Sequence, residues 1–249
     1  MAVLAKAYLV LYNVVLTLGW GVILVLSVKH LTEKKTNIGL YNSVETPLKI
    51  FQSAAILEVL HCAVGLVPSS VVITAFQVAS RLFLTWAVAH SVPQVHDNAG
   101  VAGFIFAWSI TEVIRYSFYA FSLLDKLPYI LQWCRYTFFY FLYPIGVTGE
   151  LVTIYSSLGY VSKSGLYSVS MPNRLNFSFD FHLFLMVVMF SYIPIFPQLY
   201  FHMIRQRKKV IGGKVKPQYL EVPTVQLKGW ENFSQDAFVD FVCFEFKTK

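Results

Sequence analysis

Charge is scarce in this chain. Only 13% of its 249 residues are Asp, Glu, Lys or Arg, about half the share found in soluble domains. With 56% hydrophobic residues, that scarcity excludes an ordinary soluble domain and reads as a membrane protein. Cysteine is scarce too. Cys62, Cys134 and Cys243 are odd in number and far apart, which argues against a disulfide framework and a CxxC metal site. No Cys/His cluster has metal-ligand spacing, so no metal is expected. Acidic residues are the rarer sign, 13 against 20 basic, for a net charge of +7. The Lys and Arg residues collect outside the apolar runs, which points to anionic lipid at the membrane surface rather than nucleic acid. No RNA-reading module is present.

What the chain has instead is apolar runs. They fall at about 7–28, 50–67, 71–89, 101–124, 129–151 and 181–204. The first carries no charge and is long enough to cross a hydrocarbon core of about 30 Å. It is too long for a signal-peptide core and is expected to be retained. The expected fold is an all-α membrane protein, a six-transmembrane-helix bundle over 1–216, with a cytosolic tail at 217–249 too short and too charged to span. Polar loops are expected at 29–49 and 156–180. Pro194 and Pro197 are expected to interrupt the sixth helix. Six spans place both termini on one side. The basic cluster Arg205-Gln206-Arg207-Lys208-Lys209 assigns that side to the cytosol.

Six full charges lie inside these runs: Glu58, Arg81, Glu112, Arg115, Arg135 and Glu150. Left isolated, they would cost roughly 15–21 kcal/mol, more than the whole stability of a typical domain. They must pair or line a wet cavity. All six fall on the second to fifth helices, so a polar intramembrane pocket is expected among those four, with the first and sixth helices peripheral. Glu112 and Arg115, at i, i+3, read most simply as a structural pair. His61 reads as a satisfied buried histidine.

The stretch Tyr140-Phe141-Leu142-Tyr143-Pro144-Ile145-Gly146-Val147-Thr148-Gly149-Glu150 stands out. Tyr143 and Glu150 are seven residues apart and share a helix face, about 10 Å apart along the axis. Pro144 can kink the helix and bring them closer. A carboxylic acid and a phenol facing a small-residue hollow can form a proton-transfer site; a purely structural Glu150 is the competing reading.

A second segment runs His61-Cys62-Ala63-Val64-Gly65-Leu66-Val67-Pro68-Ser69. It follows the cysteine phosphatase signature with Pro68 in place of the arginine. Phosphatase chemistry needs that arginine fork to hold a phosphate dianion, so the activity is not expected and Cys62 reads as a packing residue. The sequons at Asn176 and Asn232 are not expected to be modified.

Together these residues carry a resemblance. The chain resembles the very-long-chain 3-hydroxyacyl-CoA dehydratases, also called protein tyrosine phosphatase-like membrane proteins. The matching segments are His61 to Ser69, Tyr143 to Glu150, Asn176 to Asp180 and Ser191 to Tyr200, within about residues 5–210. The resemblance implies an endoplasmic reticulum membrane enzyme with six spans that dehydrates 3-hydroxyacyl-CoA to trans-2-enoyl-CoA, the third step of fatty-acid elongation. It implies elongase and reductase partners and no cofactor. The family's catalytic Tyr and Glu fall on Tyr143 and Glu150; supporting positions fall on Glu58, Gln77, Arg81, Arg115, Arg135 and Gly146.

The chemistry is coherent. Dehydration needs a base for the C2 proton and an acid for the departing hydroxyl. Glu150 suits the acid and Tyr143 the base, with Arg135 or Arg115 as the cation beside it; the reverse assignment uses the same groups. Coenzyme A phosphates are expected at a cytosolic mouth near Arg135, with Tyr143 about 12 Å deeper. A small transporter and a non-catalytic membrane scaffold are the rival classes. The transporter predicts an inverted repeat, and the two halves share no polar pattern.

Overall fold

The computed structural model describes residues 3–174 and 176–211. The tail at 217–249, with Cys243 and Asn232, lies outside the described residues. Within them the chain is helical, joined by turns and a single antiparallel bridge between Val169 and Phe179.

Helix α1 spans Val3–Lys34, α2 Leu40–Ala54, α3 Ile56–Ala63 and α4 Val71–Leu82, which continues as a π-helix over Phe83–His90. After a short 3-10 turn come α5 (Ala99–Leu123), α6 (Tyr129–Thr137), α7 (Phe139–Ser164) and α8 (Phe181–Ile211). The start of α5 is capped by the Asn98 side chain, which accepts from the Gly100 N–H at 2.8 Å.

Several expected boundaries move. The polar loop expected at 29–49 is largely helical. Leu40, Tyr41, Val44 and Leu48 are buried while Asn42, Ser43 and Thr46 face outward, the pattern of an amphipathic helix. The second expected helix is split at Ala55 into α2 and α3. The fifth bends by 46° between α6 and α7, at Phe138 rather than at Pro144, which sits inside a continuous α7. Helix α7 also runs on to Ser164 because Thr153, Ile154, Ser157 and Val161 extend its buried face. Gly165, at φ 63°, ends it. Nor do Pro194 and Pro197 interrupt α8; both are exposed.

Helix α5 is the centre, packed along α1 on one side and α7 on the other. Its contact with α7 is made through glycine. A Cβ on Gly149 would lie 2.6 Å from the Phe104 amide nitrogen and 2.7 Å from the Gly100 carbonyl oxygen. Gly100 and Gly149 therefore let the two backbones approach closely, as small residues do between membrane helices. Gly146 faces Ala107 one turn along.

Among the described residues three helical runs are long and apolar enough to cross a membrane: α1, Val71–His90, and Phe181–Lys208 of α8. The bent α6–α7 pair is a fourth if taken as one span. At 25 residues α5 is long enough, about 37 Å by the helix rise, but Glu112 and Arg115 lower its hydropathy.

Candidate active site

Four of the six charges found in the apolar runs form one network. On α5, Glu112 is 1% exposed and is held from both sides. Arg81 of α4 donates Nη1–H to its Oε1, and Arg115 donates Nε–H to its Oε2 at 2.7 Å. Arg115 then forks onto Glu58 of α3, with both nitrogens 3.0 Å from the two carboxylate oxygens. Tyr116 donates to the same Glu58. Two acids and two guanidiniums neutralise one another, which is what burial of charge requires. Glu112 and Arg115 are thus a pair, as their spacing suggested, but within a quartet that ties α3, α4 and α5 together.

Glu150 is held differently. The Trp108 indole N–H donates to its Oε1 at 2.8 Å, and the Tyr192 hydroxyl donates to its Oε2 at 2.7 Å. Both donors are neutral. The Arg81 guanidinium lies 5.1 Å from the Trp108 ring, so Trp108 joins this carboxyl group to the quartet. Trp108 comes from α5 and Tyr192 from α8, and reading aromatic residues in apolar runs as packing missed both. The available signal was polar: each ring carries a group that needs a partner when buried.

Tyr143 is stacked on Phe196 and Tyr200, with ring centroids 5.2 and 6.3 Å away. Tyr192, Phe196 and Tyr200 are spaced four apart, so one face of α8 runs antiparallel along the Tyr143–Glu150 face of α7. The sixth helix, the least buried of the three long apolar runs, thus reaches the site by this one face. The first is not peripheral: Tyr8 of α1 pairs with His61 at 2.9 Å, and the Tyr12 ring meets Tyr116 edge-on.

The remaining expected positions are spread around this core. Arg135 of α6 donates to the Tyr119 hydroxyl at 3.2 Å and lies over the Phe118 ring. Arg115 is committed to Glu58, Glu112 and Tyr116. Gln77 lies on α4 one turn before Arg81. Gly146 is a packing position against Ala107. Arg207 of α8, read in the sequence only as part of the basic cluster, reaches Thr137 at the end of α6 and the Tyr140 ring at the start of α7.

The family model for "Protein tyrosine phosphatase-like protein, PTPLA" matches residues 52–213. The chain belongs to the PTPLA family. It is 62% identical over 208 residues to very-long-chain (3R)-3-hydroxyacyl-CoA dehydratase 2 of Mus musculus, covering 84% of this chain and 82% of the relative. It is 50% identical to dehydratase 1 of Canis lupus familiaris, covering 86% of each. With the dehydratase PASTICCINO 2 of Arabidopsis thaliana it shares 43% identity, over 85% of this chain and 96% of the relative. No solved structure gives a significant match.

The segment behind the PTPLA name is a turn, not a phosphate cradle. Helix α3 ends at Ala63, and Gly65, at φ 72°, turns the chain. Cys62 is buried with its Sγ 3.5 Å from Thr74 Oγ1, and Ser69 Oγ lies 3.4 Å from the same hydroxyl. The segment packs α3 on α4.

Proposed function

We propose that this PTPLA-family chain dehydrates very-long-chain (3R)-3-hydroxyacyl-CoA to trans-2-enoyl-CoA, a hydro-lyase step of fatty-acid elongation. The observation that carries the activity is 62% identity, over most of both chains, to a relative that bears that name. Glu150 and Tyr143 divide the two proton transfers. In our assignment Glu150 gives a proton to the departing C3 hydroxyl, which leaves as water. Tyr143, as phenolate, takes the C2 proton, and the C2–H electron pair becomes the double bond. Proton return from Tyr143 to Glu150 resets the site. No electrons are exchanged with a cofactor.

The site reading is supported by the half-buried place of Glu150 in the bundle, held by two neutral donors. The quartet of Glu58, Arg81, Glu112 and Arg115 fixes α3, α4 and α5 around it. Six passages across the endoplasmic reticulum membrane, with both termini cytosolic, accommodate the helices in order. On this reading coenzyme A rests at the cytosolic mouth near Arg135, its phosphates met by basic side chains, and the acyl chain continues along apolar helix faces. Elongase and reductase enzymes supply the substrate and consume the product.

The test is turnover by purified protein of a long-chain 3-hydroxyacyl-CoA, followed as enoyl product. Glu150→Gln keeps the side chain's shape but cannot exchange a proton, so kcat is expected to fall by at least ~10²-fold. Tyr143→Phe is expected to fall as far. Near-normal turnover by Glu150→Gln would remove the acid–base role.

A further inference from the structure

The two donors to Glu150 differ in what they can do. An indole N–H is a donor only. The Trp108 bond therefore keeps Oε1 an acceptor in either state of the carboxyl group. A phenol both donates and accepts. Tyr192 can give a hydrogen bond to an ionised Oε2 and receive one from a protonated Oε2 across the same 2.7 Å contact. The other charged and titratable groups facing the site are Arg81, over the Trp108 ring from α4, and Tyr143, within electrostatic reach of Tyr192.

We propose that Trp108 and Tyr192 are positioning residues of the dehydration, confining the transferable proton of Glu150 to Oε2. This rests on the reading of Glu150 as a proton-transfer group. When the substrate binds, the Oε2–H swings from Tyr192 to the C3 oxygen; as it breaks and the proton passes over, the Tyr192 hydroxyl rotates from acceptor to donor and meets the charge appearing on Oε2. Trp108 stays in place throughout and fixes which edge of the carboxyl group faces the substrate. A lysine or arginine in either position would bind the carboxylate and oppose its reprotonation. Neutral donors serve both halves of the cycle.

The experiment compares purified full-length Tyr192→Phe, Trp108→Phe and Glu150→Gln proteins, assayed over a pH series with a long-chain 3-hydroxyacyl-CoA. For the first two, kcat is expected to fall about 10- to 100-fold with KM within a few-fold of wild type. The pH of half-maximal kcat is expected to move by about one unit, a change that a packing role would not produce. Should one of the two variants fail to fold, the other decides. Wild-type kcat and an unmoved pH profile in the folded variants, with Glu150→Gln inactive, overturn the positioning role alone. An active Glu150→Gln overturns the reading of the site and this inference with it.

Discussion

Glu112 is buried and Glu150 half-buried inside one bundle, and they are held by opposite means. Glu112 lies between two guanidiniums. Glu150 lies between an indole and a phenol. An ion pair fixes charge: removing one member of a buried pair leaves the other uncompensated. A pair of neutral donors accommodates a carboxyl group with or without its proton. The first arrangement builds a scaffold, and the second suits the working acid proposed for Glu150.

The division is tested most strongly by making the same substitution at both sites. Glu112→Gln leaves Arg81 and Arg115 short of a counter-charge and is expected to cost about 3–5 kcal/mol, read as lost thermal stability in detergent. Glu150→Gln removes no ion pair and is expected to keep most of that stability while losing turnover as stated above. Equal stability losses at the two sites would erase the distinction.

Next in size is the α5–α7 contact that carries Glu150 toward Trp108. Gly149→Ala would drive a methyl group against backbone, an overpacking expected to cost about 1–3 kcal/mol. Gly146→Ala meets only the Ala107 Cβ at 3.3 Å and is expected to cost less. A stability ranking of the two variants in the reverse order would show that the close approach lies elsewhere.

Smaller still is the effect at Cys62, which touches neither carboxylate. Cys62→Ser is expected to leave dehydratase activity within a few-fold of wild type; a loss near a hundredfold, the scale of a catalytic group, would make the thiol part of the chemistry.

The smallest effect falls on a third carboxylate, at the amphipathic start of α2 ahead of the proposed span. The hydrogen bond from Lys49, followed by that from His90, holds the Glu45 carboxyl below its ordinary range. A lowered value in the folded state means stability is present above the unfolded pKa of about 4.3 and is lost as pH falls through the folded one. Glu45→Gln is expected to remove under ~1 kcal/mol and to flatten the acid side of the unfolding profile. No change in that profile would leave the cluster without energetic weight.

Much of the fold was legible from hydropathy. The expected fourth helix at 101–124 matches α5 within two residues, because a long apolar run with polar flanks has few alternatives. Amphipathic α2 was misread because its buried face is short and lies in a charged stretch. Charge balance foretold that the acids and bases inside the apolar runs would pair or line a cavity, and four of the six pair. It could not foretell that Arg115 would reach Glu58 across 57 positions, since pairing between helices depends on which faces meet. Trp108 and Tyr192 stayed hidden for the same reason: an aromatic residue in an apolar run looks alike whether its polar edge meets a carboxyl group or a carbonyl.

The order of the quartet along the chain bears on how the protein is made. Helix α5, with an acid and a base near its middle, is a reluctant passenger for the insertion machinery. Glu58 and Arg81 belong to α3 and α4, which leave the ribosome first. When α5 emerges, both of its counter-charges have already been synthesised; on the proposed six-span reading it then enters the bilayer as part of a group and not as a solitary helix. Truncated nascent chains that lack the first ninety or so residues would then strand α5 outside the membrane, although its own sequence is untouched.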